Sequence, residues 1–244
     1  MRWMNLGMER IDKIIASQGQ FSRKEVKDLI AHKQVLLNGR AVTDAGTKAD
    51  PDTAQIQVKG EPLRVQTHVY LMLNKPVGYV SATRDKSAPT VLDLAPAHYR
   101  KRELFPAGRL DRDTTGLMIL TDDGAMAHRI LTPRRHVPKT YQVTIDIPVT
   151  SEMVRRFQDG IALNDGVCRP AVLRITGERT AEVVLKEGRY HQIKRMFGCC
   201  GAKVVALHRS AMGALTLPEE LPAGQCRELT PEELGLLQQT VGEE

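Results

Sequence analysis

The spacing of apolar residues at the start of the chain predicts two short helices. In RIDKIIASQG three isoleucines recur at helical spacing, and the glycine that follows predicts the helix end. The next stretch, SRKEVKDLIAHK, begins with Ser22 and Glu25 at the spacing of a capping box and continues with apolar residues on one face. Its other face carries Arg23, Lys24 and Lys27.

A hairpin is predicted after these helices. VLLNGRAV consists of two apolar runs joined by Asn38-Gly39, a strong hairpin signal, and AQIQV alternates as a further strand. Two helices and a hairpin, with a basic second helix, resemble the small RNA-binding domain of ribosomal protein S4. We therefore predict an α/β RNA-binding domain at residues 9–60, a linker at 61–68, and a second domain at 69–244.

The remainder of the chain mixes strand and helix patterns. Strands come in pairs as well as alternating with helices, which favours an α+β fold with a mixed or largely antiparallel sheet. The strand patterns are VYLMLNKP, GYVSAT, GLMILTDDG, KTYQVTI, AVLRIT, AEVVLKEG and AKVVALHRS, and the helix patterns are PTVLDLAP, AMAHRILTP, SEMVRRFQDG and YHQIKRMFGCCG.

Composition and charge narrow the class of protein. The net charge of +6 is uneven, because residues 1–40 hold eight Lys or Arg against four Asp or Glu, and this favours a polyanionic partner. Four cysteines without a CxxC spacing indicate reduced thiols rather than a zinc site or a disulfide framework. No apolar run reaches the ~18 residues of a membrane span, and the first residues lack the apolar segment of a signal peptide. We expect a cytoplasmic protein with no membrane partner.

The stretch GRLDRDTTG concentrates polar residues between two apolar runs. Alternate residues of an extended segment point to opposite sides, so Asp111 and Asp113 are not expected to converge. This argues against a glycosidase with paired carboxylates and against a shared metal. One Asp would face a cleft while the other caps the turn.

A second polar concentration, EGRYHQIKRMFG, predicts a tight turn followed by an amphipathic helix. Its cations either lie in solvent, or one of them points inward and holds a carboxylate ionised by lowering its pKa. The histidines His128, His136, His191 and His208 show neither HxxxH nor HxH spacing, and a GxSxG nucleophile elbow is absent from the sequence, so neither a metal site nor a serine hydrolase is predicted.

Together these segments resemble the RsuA-type ribosomal RNA pseudouridine synthases. The resemblance covers nearly the whole chain, and the order and spacing of its motifs match. The motifs are LNKPVGYVSAT, GRLDRDTTGLMILTDDG, KTYQV, EGRYHQIKRMF and LHRSAMGALTL.

The resemblance implies a role for five residues. Asp111 corresponds to the catalytic carboxylate, Tyr141 would pack beside the target base, and Lys194 would pair with Asp111. Leu207 would line the pocket, and Arg109 would fill the gap that a flipped-out uridine leaves in the RNA. Arg23, Lys24 and Lys27 would bind RNA from the first domain.

The resemblance further implies the isomerisation of one uridine in ribosomal RNA, without a metal or an organic cofactor. TPRRHVPKTY is closer to the small-subunit enzyme, and a large-subunit enzyme of the same family is the alternative. A non-catalytic RNA-binding or assembly factor is the rival from another class. We expect a monomer that acts on ribosomal RNA, with an assembly intermediate of a ribosomal subunit as a further candidate partner.

Overall fold

The computed structural model describes residues 7–99, 102–132 and 137–242. Its contacts divide the chain into two compact units. Unit 1 comprises Met1–Val69 and Pro96–Leu104, and unit 2 comprises Tyr70–Ala95 and Phe105–Glu244. Each has its own buried apolar cluster or clusters.

Unit 1 contains two helices and short antiparallel strands. Strands β1 and β4 pair with each other, and the others form a sheet of order β3-β2-β5-β6. The elements are β1 Glu9–Arg10, α1 Ile11–Ser17, α2 Arg23–Ala31, β2 Val35–Leu37, β3 Arg40–Ala41, β4 Lys48–Ala49, β5 Ile56–Val58, β6 Glu61–Pro62 and a 3-10 helix at Ala97–Tyr99.

The sequence signals at α2 and at the hairpin are confirmed. Ser22 accepts a hydrogen bond from the Glu25 amide at 3.3 Å, and the Glu25 carboxylate accepts one from the Ser22 amide at 2.6 Å, which completes the capping box. Asn38 and Gly39 both have positive φ, 50° and 78°, as the type I′ hairpin turn requires. The isoleucines of α1 and the apolar face of α2 are buried in one cluster.

Two segments of unit 1 lie outside the predicted RNA-binding domain. Glu61–Pro62, in the predicted linker, extends the sheet by pairing with β5. The segment Pro96–Leu104, which the sequence assigned to the second domain, packs in unit 1, where the Arg102 guanidinium donates to the carbonyl oxygens of Gln66 at 3.2 Å and Thr67 at 3.1 Å.

Unit 2 is built on a mixed sheet, which confirms the α+β fold. In its described part the strand order is β13-β14-β10-β15-β9-β7-β17, with β16 beside β15 and β8 beside β9. The elements are β7 Tyr70–Lys75, a 3-10 helix at Val91–Leu94, β8 Phe105–Pro106, β9 Thr115–Thr121, α3 Gly124–Leu131, β10 Lys139–Ile145, α4 Ser151–Asp159, β11 Ala162–Leu163, β12 Gly166–Val167, β13 Val172–Ile175, β14 Thr180–Leu185, α5 Gln192–Cys199, β15 Val204–Met212, β16 Leu215–Thr216, β17 Cys226–Glu228 and α6 Pro231–Gly242.

One predicted strand is wrong. GYVSAT forms only an isolated bridge between Val80 and Thr90, because Ser81 pairs instead with a loop: its hydroxyl donates to the Leu110 carbonyl at 2.8 Å and accepts from the Leu110 amide at 3.0 Å. The segment therefore supports the turn that follows Leu110 rather than the sheet.

Two apolar clusters hold the helices of unit 2 against the sheet. In the first, Phe157 of α4 and Phe197 of α5 are fully buried, with ring centroids 4.8 Å apart at a tilt of 50°, a favourable aromatic geometry. In the second, α3 and α6 pack against the central strands β7 and β9. These contacts fix α5, and hence its polar side chains, relative to β15.

Gly116 allows β9 and β15 to approach each other. The two strands pair in parallel through His208 with Thr115 and Arg209 with Gly116. A Cβ on Gly116 would lie 2.3 Å from the Arg209 carbonyl oxygen, and φ is +104°, so any side chain would separate the strands. The glycine after the two threonines thus brings the GRLDRDTTG turn beside β15.

Candidate active site

The segment GRLDRDTTG forms a tight turn between β8 and β9. The Thr114 amide donates to the Asp111 carbonyl oxygen at 3.1 Å, which closes the turn. The backbone of Arg112 accepts a further hydrogen bond from the Gly78 amide at 2.8 Å. Asp111 and Asp113 are therefore presented from a curved backbone.

Lys75, at the end of β7, holds this turn from beneath. Its side chain is fully buried, and its ammonium donates to the carbonyl oxygens of Thr114 at 2.8 Å, Asp111 at 3.0 Å and Pro76 at 3.1 Å. Burial lowers the pKa of Lys75 to about 8, although the charges of the two aspartates oppose that shift. Nothing local in the sequence marks Lys75 for this role, because a lysine at the end of an apolar strand usually lies in solvent at the strand boundary.

Both aspartates contact Lys194 of α5. The Lys194 ammonium lies 2.9 Å from Asp111 Oδ2 and 2.6 Å from Asp113 Oδ1. Burial disfavours the charge of Lys194, but its hydrogen bonds to Asp113 and Asp111 outweigh this and raise its pKa. The hydrogen bond from Lys194 in turn lowers the pKa of Asp113.

The prediction that Asp111 and Asp113 do not converge is wrong. That prediction assumed an extended segment, in which alternate side chains point to opposite sides. The turn closed by the Thr114 amide removes the alternation, so that both carboxylates reach one ammonium. The pair remains asymmetric, because the Asp113 side chain is 69% exposed and that of Asp111 only 26%.

His191 approaches the same carboxylate. Its Nε2 lies 3.5 Å from Asp111 Oδ1, and its backbone adopts the left-handed conformation at the N-terminus of α5. A non-glycine residue in this conformation is uncommon and is found where the surroundings enforce it. Asp111 is therefore flanked by an ammonium at one oxygen and an imidazole at the other.

A cavity of about 980 Å³ in unit 2 brings together the five residues to which the resemblance gave roles. Tyr141 of β10 lies opposite Arg209 of β15, and Leu207 lies opposite Val143, so that Tyr141 and Leu207 project from the same face of the sheet. Leu207 is buried. Arg109 is exposed at the cavity wall.

Lys139 and Arg209, to which neither the motifs nor the resemblance gave a role, also line the cavity. Burial, followed by the charge of Arg209, lowers the pKa of Lys139 to about 8. Arg209 is almost fully buried and donates from Nε to the Leu117 carbonyl at 2.8 Å. Within the described ranges, its Nη2 and the Thr114 hydroxyl are the buried side-chain atoms without a hydrogen-bond partner. Lys139 and Tyr141 of KTY lie on the same face of the sheet as Leu207 and Arg209 of LHR, and only the strand pairing reveals this.

The predicted RNA-binding cations of unit 1 lie on one helix. Arg23, Lys24 and Lys27 are all exposed on α2, while Val26 and Leu29 of the same helix are buried. The helix therefore exposes the three cations that the sequence predicted, alongside Glu25 and Asp28.

Within residues 7–99, 102–132 and 137–242, no three His, Cys, Asp or Glu side chains are grouped so that they could hold a metal ion. His136 and most of the TPRRHVP stretch lie outside the described residues. In the part of the chain that the structure describes, no helix has the length and hydropathy of a membrane span.

Two family models match the chain. The model for RNA pseudouridylate synthase matches residues 69–198, and the model for the S4 domain matches residues 9–53. The two matches follow the order of the predicted domains.

Individual relatives match over almost their whole length. An uncharacterized RNA pseudouridine synthase of Bacillus subtilis is 42% identical over 93% of this chain and 98% of the relative. Ribosomal small subunit pseudouridine synthase A of Escherichia coli is 42% identical over 92% of this chain and 98% of the relative. A crystal structure of a pseudouridylate synthase superposes with a TM-score of 0.66 at 37% identity, covering 94% of this chain and 99% of the other.

Proposed function

Because this chain belongs to the RNA pseudouridylate synthase family, we propose that it converts one uridine of small-subunit ribosomal RNA to pseudouridine. The observation that carries the proposal is Asp111, held at 2.9 Å by Lys194 in the wall of a cavity that Tyr141 and Leu207 also line. The choice of small-subunit RNA rests on relatives 42–43% identical over 98% of their length, which are named for that substrate.

The reaction is a rearrangement that makes two demands on the protein. The N1–C1′ bond breaks, the uracil rotates, and a C5–C1′ bond forms. C5 then loses its proton and N1 gains one, so that the product is an isomer of the substrate. The uridine must first leave the base stack, which costs a few kcal/mol. A carboxylate must lie near the anomeric carbon, as the nucleophile does in a retaining glycosidase.

Asp111 meets the last demand. It either attacks C1′ or removes a ribose proton, and both routes need an ionised carboxylate. Lys194 stabilises that charge in a cavity that is partly shielded from water. Asp113 shares the ammonium but is largely exposed, and we assign it no chemical step.

Three other residues would hold the nucleotide. The ring of Tyr141 would lie against the uracil, and Leu207 would close the apolar side of the pocket. Arg109, exposed at the cavity wall, would occupy the space left in the RNA by the extruded base and so offset the unstacking cost. The chemistry requires neither a metal nor an organic cofactor.

Unit 1 would supply affinity rather than chemistry. It contains the S4 match, and its second helix exposes Arg23, Lys24 and Lys27 together. Cations on one exposed face suit the phosphate backbone, which contributes most of the sequence-independent affinity for nucleic acid. The proposal includes a monomer in the cytoplasm that acts on ribosomal RNA, and a partly assembled subunit is the form of substrate to compare with naked RNA.

The release of tritium from C5-labelled uridine tests this function. We expect the wild-type protein to release tritium from small-subunit RNA, naked or partly assembled, and not from large-subunit RNA, and the Asp111→Asn variant to release none. Release from large-subunit RNA alone would favour the other branch of the family. If the wild type released no tritium from any of these RNAs, the non-catalytic alternative would replace the proposal. Equal release by the wild type and Asp111→Asn would show that Asp111 is not the catalytic carboxylate.

A further inference from the structure

An exposed aromatic pair stands at the rim of the cavity. The Tyr190 side chain is 71% exposed, and its ring stacks on the imidazole of His191 with centroids 3.8 Å apart and planes 17° from parallel. Both residues line the cavity that contains Asp111. The chain has only five tyrosines, four phenylalanines and one tryptophan, so an aromatic ring left largely in solvent at this position calls for a partner.

The pair is held rigidly. The left-handed backbone of His191 turns the chain into α5. The Arg195 guanidinium donates to the Tyr190 carbonyl at 3.1 Å, and the Arg189 amide donates to the Gln192 side chain at 3.0 Å. Arg189 also donates to the Gly166 carbonyl at 2.9 Å, which ties the loop to the hairpin β11–β12. The exposure of Tyr190 is therefore a property of a braced loop.

The position of the pair relative to Asp111 indicates what it contacts. His191 Nε2 is 3.5 Å from Asp111 Oδ1, so a ribose that presents its C1′ to Asp111 lies beside the imidazole. Tyr190 stacks on that imidazole at the cavity rim, where a neighbouring nucleotide would leave the cavity. The surroundings of the ring are charged rather than apolar. Arg189 and Lys194 line the cavity and Arg195 follows in the same helix, and each of the three pairs with a carboxylate.

We propose that Tyr190, supported by His191, is a stacking platform for the nucleobase adjacent to the flipped-out uridine. The inference rests on the proposed function and extends it to a neighbouring base. Because every base has an aromatic face, the platform supplies affinity and favours a well-stacking neighbour without reading its hydrogen-bonding edge. A protein partner is disfavoured because the ring stands among paired charged side chains instead of in an apolar patch.

The test compares Tyr190→Ala and Tyr190→Phe on an RNA oligonucleotide that contains the target uridine. We expect Tyr190→Ala to raise KM by roughly 5- to 100-fold, which is the range of one base–aromatic stack, and Tyr190→Phe to restore the wild-type KM. The single-turnover rate at saturating RNA should stay within about twofold, since the platform binds and takes no part in the chemistry. Val205→Ala is the matched control, because Val205 is 65% exposed in the same unit and does not line the cavity.

Oligonucleotides with an abasic site beside the target identify the stacked base. On the RNA abasic at the stacked position, the wild type should lose affinity and the penalty of Tyr190→Ala should disappear. Two such RNAs are used, one abasic on each side of the target uridine. The platform would be overturned if Tyr190→Ala had the wild-type KM on intact RNA, or if the rise in KM caused by Tyr190→Ala were undiminished on both abasic RNAs. Tritium release by the wild type from the same oligonucleotide is scored first, so that its absence counts against the proposed function and not against the platform alone.

Discussion

Helices α2 and α5 have similar patterns but use their cations differently. Each buries an apolar face and carries Lys and Arg side chains, three on α2 and two on α5. On α2, Arg23, Lys24 and Lys27 are all exposed. On α5, Lys194 bridges two aspartates, and Arg195 pairs with Asp165.

The contrast shows how far an amphipathic pattern determines function. The pattern predicts which face of a helix is buried, and it did so for both helices. Whether the cations of a helix lie in solvent or form ion pairs depends on which side chains of other segments pack beside them. For α5 the GRLDRDTTG turn brings two carboxylates, so we assign Lys194 to the chemical step and the cations of α2 to the binding of phosphate.

Among the variants that test this contrast between the helices, Lys194→Met is expected to have the largest effect. The variant leaves Asp111 and Asp113 without their shared cation, and breaking a fully buried pair costs ~3–5 kcal/mol. Because these side chains are about a quarter exposed or more, we expect about 2 kcal/mol, or roughly a 30-fold lower kcat/KM for tritium release. Lys194→Arg keeps the charge and should recover most of the activity. Equal activity of Lys194→Met and the wild type would mean that Lys194 takes no part in the reaction.

The next effect is on affinity. Replacing Arg23, Lys24 and Lys27 by Ala should raise the Kd for RNA roughly 10-fold or more, and should reduce the slope of log K against log salt by about 2. Both quantities come from one salt titration of RNA binding. An unchanged slope would mean that α2 does not contact phosphate. The assignment of its cations to RNA binding would then be wrong.

Asp113→Asn tests the weaker of the two contacts made by Lys194. Lys194 keeps Asp111, and Asp113 is mostly exposed, so kcat should fall by at most about 5-fold. A loss as large as that of Asp111→Asn would instead indicate a reaction with two essential carboxylates.

The same variant makes a prediction about pH. Because Lys194 lowers the pKa of Asp113 in the folded protein, the contribution of Asp113 to stability is present above its ordinary pKa of 3.8 and is lost as the pH falls through the lower folded value. The Tm of Asp113→Asn should therefore lie below that of the wild type at neutral pH, and the gap should close in acid. A gap that widens in acid would contradict the assignment.

The smallest effect concerns the folding of α2. Ser22→Ala removes one half of the capping box and should lower the free energy of unfolding by about 1 kcal/mol, while Ser22→Thr keeps the hydroxyl and should cost less. Denaturant unfolding followed by circular dichroism measures both. Equal stability of the alanine variant would mean that solvent replaces the cap.

The sequence predicted most of the helices and strands because their signals are local. Capping at Ser22, the Asn38-Gly39 turn and the periodicity of β9 depend on residues close in the chain. GYVSAT was the exception, since Ser81 is bound by Leu110, which lies 29 residues away.

The motifs predicted which residues form the site, but they did not predict how those residues are arranged. The resemblance identified Asp111 and Lys194, and the structure brings them to 2.9 Å. The convergence of Asp113, the support by Lys75 and the burial of Arg209 depend on a closed turn and on strand pairing between distant segments. No periodicity within a segment contains that information.

A single-turnover experiment at saturating RNA tests the division between the two helices most directly. Lys194→Met and the triple α2 variant are each mixed in excess over C5-labelled RNA, at concentrations above the Kd of each protein, and tritium release is followed. We predict a rate roughly 30-fold below the wild type for Lys194→Met and a wild-type rate for the α2 variant. A wild-type rate for Lys194→Met together with a slow α2 variant would contradict the account.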